Sequence, residues 1–282
     1  MIVIDSGIQL TKLIREKKDG GANIGFVPTM GALHDGHISL VVEAINNNEI
    51  AIVSIFVNPI QFNNPDDLKK YPRTIENDLL LLGNHLREKD IVFTPSEKEI
   101  YPEKVNTKYN FGHLEQVMEG KFRKGHFNGV AIVVKKLFDI TLPDKAYFGL
   151  KDFQQYIIIK NLVLISRLSV EIVACPINRE ADGLAMSSRN RRLDNNHRKS
   201  ASKIYKALKI AKSLVNSKSI EEIRSEVAEI INSDPFLKLE YFEIVNMENL
   251  LSISNIDSVS GVIACIAVQA GQVRLIDNII IK

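Results

Sequence analysis

The sequence predicts an α/β protein: a Rossmann-like parallel sheet with helices on both faces, followed by a smaller α+β domain with antiparallel strands. Residues 24–27 and 51–57 are continuous apolar runs, typical of strands covered on both faces of a parallel sheet. A helix with apolar periodicity lies between them and ends near residue 46. The order strand, helix, strand implies a right-handed parallel crossover. Past residue 176, helices and strand-like runs segregate, which is typical of a separate α+β domain.

The rest of the first half continues this alternation of helices and strands. The predicted elements are a helix over 5–18, a helix over 75–88, a strand at 91–93, a helix over 127–139, a strand at 145–148, a helix over about 153–166 and a strand at 171–175. Residues 95–110 are predicted to be irregular, and residues 119–126 (EGKFRKGH) to form a basic loop containing glycine.

The second domain is predicted from residue 177 to residue 282, after a first domain over 1–176. Its predicted elements are helices over about 195–216 and 220–231 and strands over 239–245, 261–267 and 273–281. No flexible linker composition separates the two parts.

Composition is average for a soluble globular protein and gives no sign of a nucleic-acid or membrane partner. The 282 residues carry 36 basic and 34 acidic side chains, well mixed, so the net charge of +2 gives no reason to expect a nucleic-acid partner. The two cysteines are too few and too far apart for a disulfide framework or a zinc site. No long apolar run and no signal-peptide pattern is present, so we expect a cytoplasmic protein without a membrane partner.

One stretch organises the expected site: a strand ending at Val27, the glycine-rich turn 28–36, and a helix opening at or near His37. Such a turn aims backbone N–H groups and the positive end of a helix at one point, which suits a phosphate. His34 and His37 flank that point and can stabilise charge on a phosphorus under attack. Two other interpretations stay open, a helix-capping pair and a metal site, although for a metal only Asp35 offers another ligand nearby.

Further polar residues are predicted at the same carboxyl edge of the sheet, where ligands of open α/β sheets bind. Lys151 and Asp152 follow a predicted strand and begin a helix. A lysine there opposes the helix dipole unless an anion is bound. The segment MSSR (186–189) offers two hydroxyls and a guanidinium, which suit triphosphate oxygens. A surface lysine and a solvated loop are the alternative interpretations.

Neutral side chains are predicted beside these charged ones. Gln61 and Gln155 each donate and accept hydrogen bonds, which suits a substrate with hydroxyl and carboxylate groups. Met30 and Phe62 could form an apolar wall. Exposed amides and ordinary core packing are the competing interpretations.

Five blocks of sequence resemble the pantothenate synthetase family, within the wider His-x-Gly-His nucleotidyltransferase group. In chain order they are PTMGALHDGH (28–37), FVNPIQF (56–62), YPRT (71–74), FGLKD with QQ (148–152 and 154–155), and READGLAMSSRN (179–190). They follow the family order, and the residues after them fit the family in length and pattern.

The resemblance implies a ligase that condenses (R)-pantoate with β-alanine at the expense of ATP, through pantoyl adenylate, and releases AMP and pyrophosphate. The implied catalytic residues are His34, His37, Lys151 and Arg189, with His37 the candidate for proton donation. The implied ATP-binding residues are Met30, Gly31, His34, His37, Gly149, Lys151, Asp152, Asn178, Met186, Ser187, Ser188 and Arg189. The implied pantoate-binding residues are Gln61, Gln155, Met30, Phe62 and Asn58. Glu119, Arg123 and His126 match positions in the cleft or its covering loop.

The resemblance also implies a separate role for each domain. It further implies a bound metal ion and an oligomeric state. Residues 1–176 would bind nucleotide and pantoate, and residues 177–282 would cover the active site. ATP implies Mg²⁺, which bridges phosphate oxygens. The protein ligands of the metal stay unknown: Asp78 and Glu76 are candidates, and an acidic helix face is the alternative. The expected partners are small-molecule substrates and a second copy of the chain in a homodimer.

Two positions depart from the family pattern. Leu150 stands where the family often has an acidic residue, which weakens a nucleotide contact. Asn178 stands where a small aliphatic residue is usual beside the adenine, and little is lost if the backbone makes that contact.

Two other functions remain possible from the sequence. Another nucleotidyltransferase of the same fold, with a phosphate-bearing acceptor, would want more basic residues near Gln61 and Gln155. A non-catalytic nucleotide sensor would bind ATP without turnover, whereas the presence of His34, Lys151 and Arg189 together favours chemistry.

Overall fold

The computed structural model describes all 282 residues and divides them into two compact units. The first unit is Met1–Leu150 with Gln155–Pro176, and the second is Lys151–Gln154 with Ile177–Lys282. The sequence places one boundary near residue 176. The structure also groups the short segment Lys151–Gln154 with the second unit.

The first unit is built on a parallel sheet, as the sequence predicts, with six strands where the sequence indicates five. Its strands are β1 (Ile2–Ile4), β2 (Ile24–Thr29), β3 (Ile50–Ile55), β4 (Ile91–Phe93), β5 (Lys145–Gly149) and β6 (Glu171–Cys175). They are arranged in the order β1-β4-β3-β2-β5-β6, with every pair parallel. The chain runs outward from β2 in one direction and from β5 in the other. The carboxyl ends of β2 and β5 therefore flank the topological switch point, where ligands bind in such sheets.

Helices cover both faces of this sheet. They are α1 (Gly7–Asp19), α2 (Asp35–Asn47), α3 (Pro65–Lys70), α4 (Ile75–Gly83), α5 (Glu97–Ile100), α6 (Met118–Phe122), α7 (His126–Thr141) and α8 (Phe153–Ile165). Along β3, Ile50 and Ile52 belong to the core that contains α1 and α7, whereas Ala51 and Val53 belong to the core that contains α2. The strand alternates between two apolar layers because successive side chains point to opposite faces.

The structure differs from the sequence-based elements at four short segments. β1 pairs with β4 through Ile2 and Ile91, and α5 lies within residues 95–110, but both are too short to give a periodic signal. The expected loop 119–126 begins as α6, where Gly120 is required because an added Cβ would lie 2.3 Å from the Glu115 carbonyl oxygen. α4 ends at Gly83, before the predicted end at residue 88.

The second unit packs two helices against a three-stranded antiparallel sheet. Its elements are α9 (Asn195–Leu214), α10 (Ile220–Asn232), β7 (Leu237–Asn246), β8 (Val262–Ala270) and β9 (Val273–Ile280), with strand order β7-β8-β9. Their apolar faces form one core. α10 begins with a capping box in which Ser219 and Glu222 exchange hydrogen bonds. Across both units, no helix combines the length and apolar character needed to span a membrane.

Candidate functional site

The loop between β2 and α2 carries the two histidines that the sequence singles out. His34 is the N-cap of α2, and its Nδ1 accepts a hydrogen bond from the backbone N–H of Gly36 at 3.2 Å. The ring of His37, in the first turn, lies 4.1 Å from the ring of His34 between centroids, at an angle of 46°. Both imidazoles therefore lie at the N-terminal, positive end of the α2 dipole. The helix begins at Asp35, slightly earlier than predicted.

The shape of this loop is fixed by a buried carboxylate on α4. Gly31 and Ala32 both adopt left-handed backbone conformations, with φ values of 75° and 49°. The backbone N–H groups of Ala32 and Leu33 donate to Asp78 Oδ2 and Oδ1, at 2.9 and 2.8 Å. Thr74 Oγ1 also donates to Asp78 Oδ1, at 3.2 Å. Asp78 therefore holds the loop backbone, whereas the sequence suggests it as a candidate metal ligand.

A second cluster lies at the carboxyl end of β3 and contacts the start of the histidine loop. Gln61 Nε2 lies 3.2 Å from the sulfur of Met30, and Asn58 Nδ2 donates to Gln61 Oε1 at 3.0 Å. The Tyr101 hydroxyl donates to Asn58 Oδ1 at 2.7 Å, and burial raises the pKa of this phenol. The neutral phenol remains a donor throughout the physiological pH range, so the Asn58 and Gln61 amides keep one orientation.

Helix α7 packs against the segment that carries Asn58 and Gln61. Gly129 lets the helix approach so closely that an added Cβ would lie 2.5 Å from the Ile60 carbonyl oxygen. Buried His126, at the start of α7, places Nδ1 2.8 Å from the backbone oxygen of Gln61. Arg123, which follows α6, places Nη1 3.6 Å from Oε2 of Glu119 within that helix, and the Glu119 side chain is also buried.

Phe62 and Gln155 complete the predicted pantoate set in the first unit. The Phe62 ring packs edge-on against Tyr71, with centroids 5.5 Å apart. Gln155 is partly buried in the first turn of α8.

Lys151 follows the end of β5 directly and belongs to the second unit. β5 ends at Gly149, next to β2 in the sheet, and Leu150 and Lys151 begin a short 3-10 helix. Lys151 Nζ lies 3.8 Å from Asp152 Oδ2, and the lysine side chain is 20% exposed. Asn278 of β9 donates its side-chain amide to the backbone oxygen of Lys151 at 3.0 Å.

The segment after β6 forms a tight hairpin that leads into the serine pair. The backbone N–H of Met186 donates to the carbonyl of Asn178 at 3.0 Å, so these two predicted ATP-binding residues are neighbours. Ser187 caps a 3-10 helix, Ser188–Arg192, by accepting from the backbone N–H of Arg189 at 3.3 Å. Ser188 is buried, whereas Arg189 is partly exposed.

The predicted residues therefore form local groups within each unit. In the first unit, His34 and His37 form one group, and Met30 links their loop to Gln61 and Asn58. In the second unit, Lys151 adjoins Asp152, Asn178 adjoins Met186, and Ser187 adjoins Arg189. Sequence reasoning missed the contacts made by Tyr101 and Asn278 and the ion pair between Asp277 and Arg179. An aspartate within an otherwise apolar strand, as at Asp277, was the one available signal.

Chemically, the first-unit groups combine a site for negative charge with a site for hydroxyl and carboxylate groups. Imidazoles at a helix N-terminus stabilise anions, and amide side chains held in one orientation can hydrogen-bond to the hydroxyl groups of a ligand. The structure contains no group of three or more His, Cys, Asp or Glu side chains placed to hold a metal ion.

Known proteins share this sequence and fold along the whole chain. The family model described as Pantoate-beta-alanine ligase matches residues 3–280. A pantothenate synthetase of Azobacteroides pseudotrichonymphae is 47% identical over 283 residues, covering 99% of each chain. The crystal structure of pantothenate synthetase from Thermus thermophilus has a TM-score of 0.92 at 37% identity and covers 100% of this chain and 99% of that one.

A second solved structure is a pantoate-beta-alanine ligase from Francisella tularensis, complexed with Beta-gamma ATP and Beta-alanine. It has a TM-score of 0.82 at 38% identity and covers 99% of this chain and 97% of its own. The match therefore covers both units and is not limited to the nucleotide-binding motif. The chain belongs to the pantoate–β-alanine ligase family, the pantothenate synthetases.

Proposed function

We propose that this ligase joins (R)-pantoate to β-alanine in two steps. A carboxylate oxygen of pantoate attacks the α-phosphorus of ATP, and the bond to pyrophosphate breaks, giving pantoyl adenylate. The amine of β-alanine then attacks the acyl carbon, loses a proton and displaces AMP. The observation that carries this proposal is the loop from β2 to α2, which holds two imidazoles at a helix N-terminus beside the switch point in a chain of this family.

The first step needs positioning and charge stabilisation more than strong acid–base catalysis, because pyrophosphate is already a good leaving group. We assign His34 and His37 to the ATP phosphates, with His37 as the proton donor. Met30 and Gly31, at the start of the same loop, contact the nucleotide. Support for this assignment comes from the rigid loop, which Asp78 holds in a left-handed conformation.

The amides near the end of β3 suit the acid that is activated. We assign Gln61, Gln155 and Asn58 to the hydroxyl and carboxylate groups of pantoate. Met30 and Phe62 contact its geminal methyl groups. Gln61 supports this role because Asn58 and Met30 fix its amide in place before any substrate binds.

Residues of the second unit neutralise the triphosphate in this proposal. Lys151, Ser187, Ser188 and Arg189 stabilise the phosphates and the departing pyrophosphate, because hydroxyls and a forked guanidinium match phosphate oxygens. Gly149, Asp152, Asn178 and Met186 contact the nucleotide. The hydrogen bond from Met186 to the Asn178 carbonyl supports a backbone role at position 178, which tolerates an asparagine side chain.

We propose that ATP enters as its magnesium complex. Mg²⁺ keeps much of its water and bridges substrate phosphates in such sites, so a dedicated protein cage is unnecessary. Asp78 is already committed to the loop backbone, which argues against it as a ligand.

We propose that the protein is a homodimer and acts in the cytoplasm, where ATP is available. Support for the dimer comes from α8, which packs Ile158, Ile159 and Leu162 into the core of the first unit but carries exposed apolar side chains at its C-terminal end. At its end Leu164 is 72% exposed and Ile165 is 53% exposed, beside the edge strand β6. Neighbouring exposed apolar side chains mark interaction sites, and a second copy of the chain would cover these two.

Pantoate-dependent exchange of labelled pyrophosphate into ATP, with β-alanine omitted, tests the first step directly. We expect exchange with pantoate and none with β-alanine alone, followed by AMP release once both are present. Exchange or AMP release that is indifferent to pantoate would contradict the proposal. Release that instead requires a phosphate-bearing acceptor would favour another nucleotidyltransferase, and ATP binding without turnover would favour a nucleotide sensor.

A further inference from the structure

A backbone contact ties Lys151 to the last strand of the second unit. Asn278 lies on β9, is only 3% exposed, and donates its side-chain amide to the Lys151 carbonyl oxygen at 3.0 Å. This bond joins residues 127 positions apart in the sequence. It acts on the backbone of Lys151 and leaves the ammonium group available for an anion.

The position of Asn278 is itself fixed by a buried ion pair. Arg179 Nη1 and Nη2 donate to the two oxygens of Asp277, at 2.7 and 3.0 Å, and Nη2 also donates to the Asn278 carbonyl at 3.2 Å. The Asp277 side chain is 2% exposed, and the Arg179 guanidinium stacks 3.8 Å above the Tyr205 ring. A forked, stacked guanidinium leaves little freedom to the strand backbone that carries Asn278.

The same guanidinium holds the segment that leads to the serine pair. Arg179 Nη1 donates to the Gly183 carbonyl at 3.0 Å, across a hairpin in which Arg179 also pairs with Ala185. Gly183 has a φ of 92°, and an added Cβ would lie 2.5 Å from the Tyr205 ring. Ser187 follows this hairpin by two residues, so Arg179 connects the strand that holds the Lys151 backbone with the segment that leads to the serine pair.

We infer that Asn278 is a positioning residue for Lys151, and that the Arg179–Asp277 pair sets its position. Through its amide, Asn278 holds the Lys151 backbone so that the ammonium group is already oriented when ATP arrives. Catalytic groups lose rate steeply when displaced by about 1 Å, by up to about 100-fold. This inference rests on the proposed role of Lys151 in adenylate formation.

A double-mutant cycle between Asn278 and Lys151 tests the inference. We expect Asn278→Ala to slow pantoate-dependent pyrophosphate exchange at least about tenfold, mostly in the rate constant, with ATP binding weakened less. In a Lys151→Ala background, Asn278→Ala should cause little further loss, because the group that it positions is gone. A purely structural role predicts that the two losses multiply.

The second half-reaction distinguishes a positioning role from a general loss of structure, because a general loss of structure would slow both half-reactions. Preformed pantoyl adenylate, given to the Asn278→Ala variant with β-alanine, should be converted with a much smaller loss of rate, because the β- and γ-phosphates that Lys151 helps to neutralise have already left as pyrophosphate. Equal losses in both half-reactions would overturn the inference.

Gln269→Ala is a matched control, since Gln269 on β8 donates its amide to the backbone carbonyl of Gly271 at 2.9 Å in the same sheet. It should leave both half-reactions unchanged. If Asn278→Ala fails to fold, Asn278→Ser, which removes less volume, goes through the same cycle.

A normal exchange rate in Lys151→Ala would contradict the proposed function itself. The other outcome concerns only the positioning role. That role would be contradicted if Lys151→Ala slowed exchange while Asn278→Ala left it unchanged, or if the losses of the two variants multiplied in the double mutant.

Discussion

The Asp78 carboxylate accepts hydrogen bonds from two backbone N–H groups and one hydroxyl, and its side chain is 3% exposed. All three donors belong to the segments that shape the histidine loop and the start of α4. The left-handed conformations at Gly31 and Ala32 carry a conformational cost, which is greatest at the non-glycine residue Ala32. The hydrogen bonds to Asp78 offset that cost and keep His34 at the tip of α2.

Asp78→Asn should lower both the stability of the protein and its rate of pyrophosphate exchange. The new amide would present a donor to one of the loop N–H groups, so we expect a loss of about 1–3 kcal/mol in the free energy of unfolding. We also expect roughly tenfold slower pyrophosphate exchange as the histidines lose their position. Denaturant titration and the exchange assay measure the two effects.

Glu76→Gln, on the same turn of α4, removes an exposed charge that has no hydrogen bond to the loop and serves as the control. If Asp78 were instead a magnesium ligand, excess Mg²⁺ would restore the activity of Asp78→Asn and its stability would be unchanged. That result would contradict the role assigned to the carboxylate.

His37→Ala should slow adenylate formation by at least about two orders of magnitude, the scale of one lost charge-stabilising contact. Pantoate-dependent exchange under saturating ATP measures the step. His85→Ala alters an exposed histidine outside the loop and should have no effect. A His37→Ala rate close to that of the unaltered protein would remove this residue from the phosphate site.

At the scale of elements, α7 packs closely against the 3-10 helix Pro59–Gln61. Gly129 permits that approach, and the Asn58 amide donates to the Gly129 carbonyl at 3.2 Å. The position of Gln61 therefore depends on how closely this helix can pack, although Gly129 lies 71 positions beyond Asn58 in the chain.

Gly129→Ala should push α7 away from this 3-10 helix, because the added methyl group would meet the Ile60 carbonyl at 2.5 Å. We expect a loss of about 1–3 kcal/mol in stability and a clear rise in the KM for pantoate. Gly83→Ala is the control, since its nearest neighbour is a methionine methyl group at 3.8 Å. An unchanged KM in Gly129→Ala would show that Gln61 does not depend on this packing.

Elements with many buried side chains are those that the sequence predicts best. The continuous apolar run at residues 51–57 identifies β3 because a strand covered on both faces has no polar side, and the histidine turn identifies the start of α2 to within a few residues. β1 carries no comparable signal, because its three residues are stabilised by pairing with β4, far away in the sequence.

Contacts between distant residues account for what the sequence leaves out of the site. The histidine motif and the amides can be recognised from short spacings. The bond from Asp78 to the loop spans 46 residues, and that from Asn278 to Lys151 spans 127, so no local pattern encodes either. From the sequence, Asp78 stands out only as an acidic residue near a possible metal.

At the scale of the whole molecule, the homodimer gives the clearest test. Leu164→Glu should place a charge in the proposed interface and yield a particle of 31.7 kDa by light scattering, where the unaltered protein should have twice that mass. Leu80→Glu changes an equally exposed leucine, at 71%, on α4 and should not alter the mass. A monomeric unaltered protein, or a dimeric Leu164→Glu variant, would contradict the proposal.

The chain passes between its two units after residues 150, 154 and 176. A fragment that begins at residue 177 would keep Asn278 but lose the Lys151 carbonyl that it binds, and a fragment that stops at 176 would carry 151–154 without their own unit. We therefore expect neither half to work as a transferable module. Chimaeras between related ligases should retain function only when residues 151–154 and 177–282 are inherited from the same parent.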